Sequence, residues 1–230
     1  MTDWLSFWNS PHRIYVNERH RDVHYRDVAL QIRSFVTAAD AVLLDYGCGE
    51  ATRADLVAEA AGRLILSDAA PAVRERIAAR FRDNAKITVL SPQEVEALPS
   101  AGIDVIALNS VTQYLKRGEL DELLVLFHRL LKPDGRLVVG DVRPPHTSAL
   151  TEAAALMKLA WRNGFVIPAL AGLTRTLFSE YRKLRSAIGL SSYSEADMLV
   201  ILRAAGFDAR RRHPNIEHNQ SRMTFVAAKL

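Results

Sequence analysis

An apolar run, Val42-Leu43-Leu44, ends in Asp45 and turns at once on Gly47 and Gly49, with Cys48 between them and Glu50-Ala51 after. Glycine reaches backbone conformations closed to other residues and lets a ligand approach the main chain. A strand that ends in such a turn before a helix is therefore a seat for a nucleotide-like group. A second strand-like run, Leu64-Ile65-Leu66-Ser67, ends in Asp68, with Ala69 behind it. That acid falls about twenty residues on, where such folds place a carboxylate on the ribose. One carboxylate can accept from both ribose hydroxyls, in charge-assisted bonds worth roughly 1.5–3 kcal/mol. The dinucleotide fingerprint requires a third glycine at position 52, where the chain has Thr52, and this argues against a nicotinamide cofactor. Cys48 has no nucleophile partner in the sequence and reads as a small buried side chain in a tight turn.

The elements that must hold these groups alternate. Strands are expected at Ala41–Asp45, Arg63–Ser67, Ile87–Leu90, Ile103–Leu108 and Arg136–Val142. Helices are expected at Ala54–Ala61, stopped by Gly62, at Ala70–Asn84 and at Leu120–Leu131, with a turn at Lys132-Pro133-Asp134-Gly135. This order predicts a parallel sheet covered on both faces. Residues 1–38 are expected to be helical. After Pro144-Pro145, residues 148–187 read as two or three helices with no strand between. Ser194-Glu195-Ala196-Asp197 opens a last helix that stops at Gly206. Phe207–His213 and Arg222–Lys229 read as the last strands, joined by the loop Pro214–Ser221.

Five segments, in order, resemble the Rossmann-like S-adenosylmethionine-dependent methyltransferases. Asp45-x-Gly47-x-Gly49-x-Ala51 is similar to their first motif, with Ala51 at its most tolerant position. Asp68 stands at the ribose acid, and Glu94-Val95-Glu96-Ala97-Leu98-Pro99 resembles the segment that brackets the adenine. Asp104 to Val111 resembles the fourth strand and its turn, and Leu130 to Leu137 the junction into the fifth. The likeness is good over about residues 40–142 and a matter of pattern over 192–230. It implies one domain with a seven-stranded, mostly parallel sheet, an antiparallel last strand, an N-terminal helical lid and a helical insertion after the fifth strand. It implies S-adenosylmethionine as methyl donor, contacted by Tyr15, Asp45, Gly47, Cys48, Gly49, Asp68, Ala69, Glu94, Val95 and Asn109.

Methyl transfer from a sulfonium asks mainly for in-line placement of the acceptor, with a base where the acceptor carries a proton. His20 and His24, four residues apart and so on one helical face, are the candidate catalytic pair. Gln113, Tyr114, His218 and Asn219 are candidates for holding a small organic acceptor, methylated on O or N. No metal is expected. The chain lacks a His-Glu-x-x-His motif, and Asp141 with Asn109 does not reproduce the acid pair of the metal-dependent members.

With 49% apolar and 24% charged residues in 230, the chain has the balance of a soluble domain. Its single cysteine excludes an internal disulfide framework. No apolar run spans a bilayer and no secretory leader is visible, so a cytoplasmic setting is expected. The net charge of +4 concentrates at Arg13, Arg19, Arg21 and Arg26 and at Arg203 and Arg210–Arg212. Without a groove-binding motif these read as a solvated surface, and nucleic acid is not the expected partner. Leu156, Leu159, Trp161, Phe165, Leu170, Leu173 and Leu177 form an apolar face on the insertion. That face is expected to pack on its own domain rather than on a membrane. An RNA or lipid acceptor, or a non-catalytic cofactor-binding role, are the other readings.

Overall fold

A computed structural model describes residues 4–9, 15–176 and 189–230. His12 to Ile14, including Arg13, and the 177–188 part of the insertion, including Leu177, lie outside them. The strands are β1 (Val42–Tyr46), β2 (Arg63–Ser67), β3 (Ile87–Leu90), β4 (Ile103–Asn109), β5 (Leu131–Val142), β6 (Phe207–Arg212) and β7 (Met223–Lys229). They form one seven-stranded sheet in the order β3-β2-β1-β4-β5-β7-β6. β1 to β5 are parallel, and β7 runs antiparallel between β5 and β6. The Rossmann-like expectation holds, including its antiparallel last strand. From β1 the chain proceeds outward to β2 and β3, then returns to add β4 on the other side. The crevice at the carboxyl ends of β1 and β4 is thus the switch point where such sheets bind ligands.

Strand alternation sends neighbouring apolar side chains to opposite faces. Leu44, Ile65, Ile106, Leu108 and Val139 pack under α6 (Arg117–Leu130) and a last helix, here α9 (Glu195–Ala204). Leu43, Leu64, Leu66, Val105, Ala107 and Val138 pack under α2 (Glu18–Arg33), α3 (Asp55–Ala58) and α4 (Pro71–Phe81). A third cluster joins Val23 of α2 to Leu159 and Ala160 of α7 (Ala149–Asn163), to Phe165, and to Ala169 of α8 (Val166–Thr176). α2, α7 and α8 thus share one apolar cluster of their own. α1 (Trp4–Asn9) crosses the start of α4, where the Asn9 side chain accepts from Ala72 N at 2.9 Å. No described helix is long and apolar enough to cross a membrane.

Two local readings are corrected. The turn expected at Lys132–Gly135 is a bulge inside β5. Leu131 pairs with Ile103, and the ladder resumes only at Arg136 opposite Val105. Pro133 has no N–H to give a ladder, and a side chain on Gly135 would sit 3.0 Å from the Ile103 carbonyl oxygen. The apolar face of the insertion divides. Leu159 and Phe165 are buried, whereas Trp161 is 78% and Leu170 53% exposed. Two residues on a helix are about 200° apart, so Leu159 and Trp161 cannot share a face.

Candidate functional site

The β1 turn is wound tightly back on β2. Gly47 N and Cys48 N both donate to the Ser67 carbonyl, at 2.7 and 3.1 Å. Gly47 and Gly49 take left-handed φ values of +75° and +58°, and a Cβ on Gly47 would lie 2.3 Å from Val111 Cγ2. Asp68 ties the turn to α4: one carboxylate oxygen accepts from Gly49 N at 3.0 Å and the other from Ala70 N at 2.9 Å. Arg74 in turn donates to the carbonyls of Asp68 and Ala69. Tyr25 of α2 closes the far side by accepting from Glu50 N at 2.9 Å.

A cavity of about 890 Å³ opens above this turn, the size of a small-molecule site. Asp45, Gly47, Cys48, Gly49, Asp68, Ala69 and Asn109 line it, as do Tyr15, His20, His24, Gln113, Tyr114, His218 and Asn219. Glu94 and Val95 do not. The Glu94 carboxylate accepts from Ser91 N and Ser91 Oγ, both at 2.7 Å, in a capping box that starts α5 (Pro92–Glu96). Val95 is fully buried in the core, and Glu96 is the residue of that segment that reaches the cavity.

The cavity has two chemically different ends. Trp4 and Trp8 of α1 pack against Tyr114, with ring centroids 4.6 and 5.9 Å apart. Tyr114 therefore lies under the N-terminal helix, among aromatic groups, and not among the histidines. The other end is polar. Tyr15 lies 5.3 Å from the His20 ring and 5.2 Å from that of His24. It is Tyr25, which sequence reasoning passed over, that reaches the glycine turn.

Burial pushes the Asp45 carboxyl up to about 7, with the Asp68 carboxylate adding to the rise. Burial also raises the Cys48 thiol well above its ordinary value, so the inert reading of that cysteine fits its surroundings. His20 is buried and stacked on Phe165 at 5.2 Å, and its Nδ1 accepts from Val16 N at 3.3 Å. Burial, with His24 and His218 nearby, lowers it to about 4. A neutral ring whose Nδ1 already accepts carries its proton on Nε2, so His20 is a donor rather than a base.

The polar end is organised by three groups absent from the expectations: Glu217, Arg222 and Glu152. His24 Nδ1 lies 3.1 Å from Glu217 Oε2, while Glu217 Oε1 accepts from Asn109 Nδ2 at 3.0 Å. Ser110 Oγ donates to Asp141 at 2.8 Å and lies 3.3 Å from Glu217 Oε1. Arg222 is clamped between Asp141 and Glu152 of α7, at 2.5 and 3.0 Å. Ser110, just after β4, and Asp141, one residue before the end of β5, both hold φ near +58°. Such strain in non-glycine residues gathers at working sites. Gln113 is buried and donates to Ser110 O, and Asn219 turns its side-chain oxygen to Ser221.

Among solved structures, the fold resembles the Haemonchus contortus phosphoethanolamine N-methyltransferase 1 bound to phosphoethanolamine and S-adenosylhomocysteine. The two share 15% identity over 98% of this chain and 48% of that one, with a TM-score of 0.63. It also resembles magnesium protoporphyrin IX methyltransferase of Synechocystis with bound S-adenosylmethionine, at 15% identity over 99% and 89% of the two chains and a TM-score of 0.58. Human N-acetylserotonin methyltransferase is 15% identical over 89% and 51%, with a TM-score of 0.57. At these identities the likeness is one of fold. No curated protein sequence matches the chain. A family model described as a methyltransferase domain matches residues 16–211, and the chain belongs to that family.

Proposed function

We propose that the protein transfers a methyl group from S-adenosylmethionine to a small organic acceptor, on O or N. The observation that carries this is the Asp68 carboxylate, which grips the glycine turn and the start of α4 while facing a cavity beside the half-buried Asp45. The residues present suit that donor. A side chain on Gly47 would strike Val111, so the turn is kept bare. Asp45 is a half-buried acid that pairs with no cation among the described residues, and the donor brings both an ammonium and a sulfonium. Tyr25, Ala69 and Glu96 complete the wall, and α1 covers it with Trp4 and Trp8. When bound, the donor supplies an electrophilic methyl group. The protein's share is to hold the acceptor in line and to exclude water. Gln113, His218, Asn219, His20 and His24 are the groups proposed to meet the acceptor, with the two histidines nearest its reacting atom.

Two measurements test the donor site. Asp68→Ala is expected to weaken S-adenosylmethionine binding at least about tenfold, or 1.4 kcal/mol, by calorimetry. Unchanged affinity would remove Asp68 from the site. NADH is the comparison ligand, and a preference for it would reverse the assignment. The second uses Asp45. A cationic ligand favours its ionised form, so binding near pH 6 should release a proton, and affinity should climb until the pH passes about 7. Calorimetry in two buffers of different ionisation enthalpy reads that proton, and Asp45→Asn should abolish it. An equal heat in both buffers at pH 6 would contradict the proposed role of Asp45.

A further inference from the structure

Glu217 is buried, sits on the cavity wall, and joins three separate parts of the fold. One oxygen meets His24 of α2 at 3.1 Å. The other is held by Asn109 Nδ2 at the end of β4, with Ser110 Oγ 3.3 Å away. Both carboxylate oxygens are thereby fixed, and the His24 ring is fixed through its Nδ1. That leaves Nε2 as the His24 nitrogen for a ligand in the cavity. An imidazole held on one side by an oriented carboxylate is the arrangement that makes the opposite nitrogen a proton acceptor and stabilises the imidazolium formed. On the same helix face, His20 offers a donor, since its Nδ1 is occupied by Val16 N.

Resting on the methyl-donor reading above, we propose that Glu217 is the positioning residue that holds His24 as proton acceptor, and that the methyl acceptor is a hydroxyl. A hydroxyl can accept from the His20 N–H, give its proton to His24 Nε2, and keep a lone pair for the methyl group. A protonated amine would bring a cation toward the His20 donor and has no lone pair until it has lost its proton. In the transfer, the acceptor oxygen forms the new C–O bond as the C–S bond breaks. The C–S electron pair stays on sulfur. The O–H proton moves to His24 Nε2, and the imidazolium is neutralised across Nδ1 by Glu217.

The surroundings of His24 favour its charged form. It faces Glu217 and His218 of the last loop, Asp141 at the end of β5, and Tyr15, and on its own helix His20, Tyr25 and Asp27. Burial pulls the imidazolium down, but the Glu217 carboxylate, with Asp141 and Asp27 behind it, outweighs burial and raises it above the ordinary histidine value. His24, Glu217 and His218 also have ligand atoms within 4.8 Å of one another, so a bound divalent ion is the rival occupant. The shorter contact, 3.1 Å from His24 Nδ1 to Glu217 Oε2, is a hydrogen-bond distance for one shared proton.

The test uses the full chain, as wild type, Glu217→Gln and Glu217→Asp. In histidine-labelled protein without donor, the His24 NMR titration midpoint should fall by about one unit or more in Glu217→Gln and recover in Glu217→Asp. Labelled donor is then offered with phenol, an aliphatic alcohol, a primary amine and a thioether as probes. Transfer to a hydroxyl probe is expected. In Glu217→Gln its kcat should drop at least about tenfold and the acid limb of its pH profile should move lower. Donor affinity by calorimetry should stay within about twofold in the same variant, which separates this proposal from the donor reading. An unmoved His24 titration, an unmoved pH profile, transfer to the amine or thioether alone, transfer to no probe, or a stoichiometric divalent ion in the purified chain would each overturn it. Failure of wild-type donor binding would instead strike the donor site itself.

Discussion

Arg222→Met is expected to destabilise the fold by about 3–5 kcal/mol, the cost of leaving a buried ion unpaired. Methionine keeps the packing of the long stem, so the loss is mainly of charge. Arg222 stands 2.5 Å from Asp141 and 3.0 Å from Glu152. Asp141, only 4% exposed, would be left with Ser110 and Asn215 as donors and with Glu217 as a repelling neighbour. Burial already pushes the Asp141 carboxyl up to about 6 against the pull of Arg222, and removing the guanidinium would push it further. The sign of the pH dependence follows. A carboxyl whose folded pKa lies above its unfolded value binds more protons in the folded state, so stability falls as pH rises between the two. The defect should be smaller at pH 5 than at pH 8. Adding Asp141→Asn removes the stranded charge and should restore most of the loss at pH 8. Urea midpoints at constant slope measure all three quantities. A defect below about 1 kcal/mol, or one equal at both pH values, would show that Arg222 does not hold this corner together.

The parts of the site that could be read from the chain are those written by local rules. A glycine turn after an apolar run, and an acid ending the next strand, are neighbours in sequence and in space, because β1 and β2 pair in register from Val42–Arg63 to Tyr46–Ser67. Glu94 shows the opposite hazard. Ser91-Pro92-Gln93-Glu94 is a capping-box pattern, and the helix start claims that carboxylate before a ligand can. The polar end was illegible for a different reason. Glu217 meets Asn109, and Arg222 meets Asp141 and Glu152, only because β7 folds back antiparallel on β5 and carries the last loop over the ends of β4 and β5. Nothing local marks such long-range pairs. One signal was available: Asp141 is the last residue but one of β5, as Asp45 is of β1, and an acid near a strand's carboxyl end is worth following in both places. The His20–His24 pair shows the limit of spacing. Periodicity places both on one face, but their neighbours make one a buried neutral donor and the other a carboxylate-bound ring.

The glycine turn itself should be the most sensitive point for donor binding. Gly47→Ala asks a side chain to adopt φ +75° and to occupy space 2.3 Å from Val111 Cγ2. Left-handed backbone costs a non-glycine residue about 1–2 kcal/mol, and forcing a methyl into a packed contact adds about 1–3 kcal/mol. Valine is stiff at χ1 and cannot swing its branch away cheaply. The strain is relieved only by opening the turn, which loosens the bonds from Gly47 N and Cys48 N to Ser67 and the grip of Asp68 on Gly49. Those are the contacts that shape the proposed donor seat, so S-adenosylmethionine affinity and thermal stability should fall together. The companion change Val111→Ala separates the two causes. In the Gly47→Ala background it frees the space but not the backbone, so about 1–3 kcal/mol should return and the remainder should persist. Full recovery would mean the turn tolerates its left-handed alanine, as Ala51 at φ 42° already does one turn further on. Donor binding unchanged in Gly47→Ala alone would mean the ligand does not lie over this turn, and the assignment of the β1–β4 crevice to the methyl donor would fall with it.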